Sequence, residues 1–195
     1  DEHVVRELGE LLAVDALERS ARSMPEHERH LLGKGLLVGH VIDETRRPFG
    51  RGDFLVRALM GVDRDSGAIM LSDRIRPGQT IQFHVRDART AAEDLQLLLD
   101  AEQLRDRPFA GLLFTCNGRG QRLFEQPHHD PAIIEERLGP LPLAGFMAAG
   151  ELGPIGGRSF LHGQTAVLAL LRDGVEDEAA AAVAAEAESG GVAEA

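Results

Sequence analysis

The chain has 195 residues, 43% of them hydrophobic, enough for one well-buried core and one main folding unit. A formal net charge of −11 and the absence of Trp and Tyr exclude the basic, aromatic surfaces that hold nucleic acid, and the charge argues equally against an anionic membrane. Cys116 stands alone and permits no internal disulfide, and no apolar run reaches membrane-span length, so a cytoplasmic protein is expected. The chain opens on Asp1 rather than Met and reads as a piece of a longer protein.

Val4, Leu8, Leu11 and Leu12 recur at helical spacing among charged residues, which predicts an amphipathic helix at the start. Ser23-Met24-Pro25-Glu26 offers a cap and an early proline, so a second short helix should run to about Leu32 and stop at Gly33-Lys34-Gly35. Residues 1–35 are therefore read as an N-terminal helical segment. Leu36 to Ile42 is apolar on both alternating faces, the mark of a central strand covered on two sides. Phe54 to Val62 and Ala68 to Leu71 read as strands of a hairpin whose loop ends in Gly67, and Pro77-Gly78 as a tight turn. Ile81, Phe83 and Val85 alternate with polar residues, giving a strand with one wet face.

Thr90-Ala91-Ala92-Glu93 has the form of a capping box, with Leu95, Leu98 and Leu99 as the buried stripe of the helix behind it. Ala110 to Cys116 is a buried strand. Asp130-Pro131 reads as a cap followed by proline at the first helical position, and Gly139-Pro140 ends that helix. Leu141 to Ala149 and Gly163 to Leu171 are two further strands. From 173 to 195 the chain is acidic and rich in alanine without an apolar stripe, and reads as a disordered tail. Hairpins come first and helices alternate with strands later, so the expected class is α+β, with a mixed, largely antiparallel sheet and flanking helices.

Chemistry concentrates in two stretches. The first is Cys116-Asn117-Gly118-Arg119-Gly120, where a thiol ends a buried strand beside a glycine turn whose N–H groups and guanidinium suit an anion. The second runs from Ala144 to Gly163 and carries Gly150, Glu151, Arg158 and His162 in a glycine-dense, apolar setting. A carboxylate such as Glu151 is costly to bury there without a cation, either Arg158, Arg119 or a ligand ammonium. His162 has two readings, a ligand donor or a ring bonded to a backbone carbonyl. Cys116 has two as well, plain packing or an activated nucleophile. His129 is placed at the pocket mouth and His128 in solvent. No spacing resembles a metal site, so neither metal nor cofactor is expected, and no complete catalytic set can be read.

Gly52-Asp53-Phe54-Leu55-Val56-Arg57 with Gly61-Val62-Asp63, Asp73-Arg74 with the stretch from Gly78 to Asp87, Cys116 to Gly120 and the 144–163 segment occur in an order that resembles the C-terminal domain of the FIST family, for F-box and intracellular signal transduction. The similarity covers about Leu36 to Leu171, which sets the domain at 36–172. Ser159 departs from the asparagine that relatives often carry there. The resemblance implies a non-enzymatic sensory domain of bacterial signalling proteins. It also implies an N-terminal FIST domain as a partner in cis, and a small ligand such as an amino acid. On that expectation the carboxylate of the ligand meets Arg119 and the turn, its ammonium meets Glu151, and His162 supplies a directional hydrogen bond.

Overall fold

Residues 2–155 and 158–174 are described by the computed structural model; the tail expected beyond Glu176 lies outside them. The elements in the first half are β1 (Val4–Val5), β2 (Glu7–Leu8), β3 (Leu11–Leu12), α1 (Ala13–Ser23), a 3₁₀ helix Glu26–Lys34, β4 (Leu36–Val41), β5 (Phe54–Asp63), β6 (Ala68–Leu71) and β7 (Ile81–Val85). The second half holds α2 (Ala88–Glu102), β8 (Ala110–Cys116), α3 (His129–Leu138), β9 (Leu143–Ala148), β10 (Glu151–Ile155), β11 (Arg158–His162) and β12 (Ala166–Leu171). The class is α+β, as the pattern of hairpins and helices predicts.

Five strands form one antiparallel sheet in the order β1-β6-β5-β4-β7. Inside it, β4 is hydrogen-bonded on both edges, which is why its apolar run places Val38 and Val41 almost wholly out of solvent. The β5–β6 loop closes as expected. Asp63 Oδ1 accepts from the Asp65 amide at 3.0 Å, and Gly67 takes φ 69°. His84 leaves the expected wet face of β7 and packs edge-on to Phe54 with its ring centroid 5.2 Å away, over Gly39, where a side chain would meet it. Burial lowers its pKa.

The helix expected across Val4 to Leu12 is not there. Val5 pairs with Ile69 of β6, and Gly9 at φ 64° turns β2 back onto β3, so those apolar residues satisfy a sheet edge and a hairpin. The amphipathic helix starts at Ala13 and buries Ala13 and Val14. Two helix starts also differ. Asp87, not Thr90, caps α2, accepting from the amides of Arg89 and Thr90, while Leu98 of the supposed buried stripe faces solvent. Asp130 is not a cap either. α3 begins at His129 after His128 in left-handed conformation, because the Asp130 carboxylate is committed elsewhere.

β8 sits at the centre of a second sheet, order β12-β8-β9, antiparallel to β12 and parallel to β9. The parallel pair needs a crossover, which α3 provides. One face of this sheet, through Leu113 and Leu168, packs on Leu95 and Leu99 of α2 and Ile133 and Ile134 of α3. The other carries Leu112, Phe114, Phe146 and Leu171 and is covered in part by the β10–β11 hairpin, where Gly153 rests on Val167. That hairpin went unrecognised in the sequence. Buried side chains thus gather in two clusters, one under each sheet, rather than in the single core expected from length.

Gly145 has φ 152°, and a Cβ there would overlap the backbone carbonyl of Leu113, so β9 can lie this close to β8 only with glycine. Gly145→Ala should therefore cost roughly 3 kcal/mol or more in a denaturant titration. Gly163→Ala, with nothing within 4 Å of the added carbon, should fall within about 0.5 kcal/mol of the parent.

Candidate functional site

β8 ends where the chain turns at Asn117-Gly118-Arg119-Gly120, and that turn, the start of α3 and strand β9 enclose a cleft of about 640 Å³. Its polar lining includes Asn117, Arg119, Arg122, His128, His129 and Asp130. Most of the remaining wall is apolar, from Leu113, Leu143, Ala144, Phe146 and Met147 with Pro127 and Pro131. A concave, mainly apolar volume of this size with a few convergent polar groups has the character of a small-molecule site.

The floor is an ion pair. Arg119 donates from Nε to Asp130 Oδ2 and from Nη2 to Asp130 Oδ1, both at 2.8 Å, with the two side chains 7% and 4% exposed. This fork-to-carboxylate geometry is the strong, directional form of the contact. His129 adds Nδ1 at 3.1 Å from the same Oδ1 and stacks flat on Phe124, ring centroids 3.4 Å apart. The Arg119 guanidinium lies 5.3 Å from the Phe124 ring centre. Burial pushes the Asp130 pKa up, but the hydrogen bonds and charge of Arg119, aided by His129, outweigh it and hold the carboxyl below its usual value.

The expected site residues divide between two places. Asn117, Arg119, Gly120 and His129 line the cleft. Cys116, Gly118, Gly150, Glu151, Arg158 and His162 do not. Alternation along β8 puts Thr115 on the cleft side and Cys116, 5% exposed, on the opposite face. The carbonyl of Gly118 accepts from Arg86 Nη2, and a Cβ at Gly118 would meet Gln164 Oε1 at 2.5 Å, so this glycine joins β7 to the second sheet. Gly150 is pressed against Leu161 and the His162 carbonyl.

In the β10–β11 hairpin, Glu151 pairs in register with His162 and is 2% exposed. Thr165 donates to its Oε2 at 2.9 Å, and Oε1 has no partner among the described residues. The expected bridge to Arg158 is absent among them; that guanidinium sits 5.6 Å from the Phe160 ring centre. His162 Nε2 lies 2.9 Å from the carbonyl oxygen of Gly153, the second of its two readings. The opposite charges around the 144–163 glycines therefore belong to a hairpin and its packing on β12.

Sequence reasoning missed Asp130, Arg122 and Phe124; His128, placed in solvent, is exposed and also lines the cleft. A signal for Asp130 was present. An arginine at the end of a buried strand needs a carboxylate, and Asp130 was the acid nearest in sequence outside the exposed Glu125.

The FIST C domain model matches residues 13–154, well over half the chain. The chain belongs to the FIST C family. FIST C domains are grouped as sensory modules of signal transduction. Relatives include an uncharacterised protein of Mycobacterium tuberculosis (strain CDC 1551 / Oshkosh), 46% identical over 175 residues, covering 89% of this chain and 46% of the relative. An uncharacterised protein of Mycobacterium bovis (strain ATCC BAA-935 / AF2122/97) is 45% identical over 175 residues, with 89% and 45% covered. The chain thus spans a little under half the length of the curated relatives it matches. No solved structure matches. Among the described residues no helix is long and apolar enough to cross a membrane, and no group of three or more His, Cys, Asp or Glu side chains could hold a metal ion.

Removing one member of the buried pair strands the other. Asp130→Ala should cost about 3–5 kcal/mol in denaturant unfolding, much of it recovered when Arg119 is also replaced by methionine. The pair also sets an acid limit. Because the folded pKa of Asp130 is depressed, its contribution is complete above the unfolded aspartate value, about 3.9, and is lost as pH falls through the lower folded value. Stability measured from pH 5 to 2 should fall more steeply in the parent than in the double variant.

Proposed function

We propose that this FIST C domain is the ligand-binding part of a cytoplasmic signalling protein, and that the cleft between β9 and the start of α3 is where the ligand sits. The observation that carries this reading is the cleft itself, whose preformed, ion-paired floor and apolar walls are of ligand size. The function is binding, with an output passed to other parts of the protein, and the N-terminal FIST domain is the partner in cis. Catalysis by Cys116 is not part of the reading, because the thiol is buried on the face of β8 away from the cleft. One observation favours a second reading, a protein-interaction module: Leu112, Phe146, Leu152, Leu161 and Leu171 are exposed on the outer face of the second sheet and the hairpin that lies over it.

The absence of Trp and Tyr makes a direct test available. Gln126→Trp places a sole indole in the cleft lining, and a panel of amino acids and small acids should include a compound that changes its emission saturably and raises the melting temperature. No such compound, in a protein that carries the N-terminal FIST domain as well, would leave the interaction-module reading standing instead. Cys116 should be alkylated by iodoacetamide only after unfolding. Rapid labelling of the native protein would return the thiol to consideration.

A further inference from the structure

The charges that line the cleft do not match a zwitterion. Arg119 and Asp130 neutralise each other, and Arg122 is left as a cation with no ion-pair partner among the described residues. Two arginines against one aspartate leave one positive charge in excess, inside a chain whose net charge is −11. Among the described residues Asp130 is the only carboxylate in the lining, and both its oxygens are occupied, Oδ2 by Arg119 Nε and Oδ1 by Arg119 Nη2 and His129. An ammonium entering the cleft would lose water and gain no acceptor of opposite charge. Glu151, the residue expected to meet it, is buried in the hairpin against Thr165. On the anion side the supply is different. Arg122 is exposed, and Arg119 keeps Nη1 outside its fork with Asp130.

We propose that the cleft selects a small monocarboxylic acid with an apolar body, its carboxylate held by Arg122 and the outer edge of Arg119, its hydrocarbon laid along Leu113, Leu143 and Met147. This rests on the reading of the cleft as the ligand site and narrows its chemistry. One excess positive charge answers one negative charge, which favours a carboxylate over a phosphate monoester of nearly twice that charge. The remaining wall offers burial to methylene groups. Hydroxylated or multiply charged acids would leave polar groups facing Leu143 and Met147 without partners.

The test uses octanoate, octylamine, octanol and leucine as probes, with calorimetric titration and melting temperature as readouts on the 195-residue chain. Arg122→Gln and Met147→Trp are the variants; both positions are exposed, so the fold is retained. Octanoate should bind saturably and octylamine and leucine should not, with octanol at least tenfold weaker than octanoate. Arg122→Gln should weaken octanoate about tenfold or more, and Met147→Trp, which puts a bulky ring into the cleft beside Thr115, should abolish it. Octylamine or leucine binding as tightly as octanoate, and lost in Met147→Trp, overturns the acid assignment while the cleft remains the site. Octanoate binding untouched by either substitution, or no binding by any probe, overturns the acid assignment together with this use of the cleft.

Discussion

A guanidinium and a carboxylate taken out of water have to be held together, and in this chain that requirement joins two segments eleven residues apart, the turn after β8 and the first turn of α3. Asp130 gives up helix capping to meet Arg119, so α3 begins two residues early, behind a left-handed His128. Phe124 and His129 close over the pair as a flat stack. A buried pair of this kind contributes little net stability because desolvation offsets the attraction, yet it admits very few alternative placements of the two segments. Its effect is positional. It sets the floor of the cleft and determines which nearby side chains, Arg122 above all, keep their charge for something else.

The cleft also depends on how the second sheet is wired. A parallel β8–β9 pair forces the chain across one face through α3, and this brings the helix start and the end of β8 to the same edge, beside the outermost strand β9. Gly145 lets β9 approach β8 closely enough to serve as the opposite wall. A ligand lodged there would touch a strand edge, a turn and a helix start together. Those three elements would then move or stiffen as one, which is the physical requirement for a sensor whose binding must be felt elsewhere.

The β10–β11 hairpin explains the other dense run of glycine and charge. Glu151 and His162 face each other across it and are buried by packing against β12, with partners in Thr165 and the Gly153 carbonyl. Arg86 reaches from the first sheet to the Gly118 carbonyl and ties the two halves together. These residues build the scaffold on which the cleft stands. The matched mycobacterial relatives, about twice as long as this stretch, carry the same half within a larger protein.

Patterns of apolar residues within a few positions were enough to place β4 to β9, β12 and the short helix before Gly35, because a strand's period of two and a turn's need for glycine are local facts. The same local reading failed for Val4 to Leu12, whose helical spacing was overridden by pairing with β6. It failed again at Glu151 to His162, where the pairing of β10 with β11 makes a hairpin of what reads as loose glycine-rich chain. Residue types alone marked Arg119, Asn117 and His129 as polar groups near a cleft. Only the tertiary structure assigned Asp130 to Arg119, removed Cys116 to the far face and left Arg122 without an ion-pair partner among the described residues. Which charges cancel is decided by through-space distance, and distance between segments is set by sheet pairing and helix docking, neither of which is written in the spacing of any one segment.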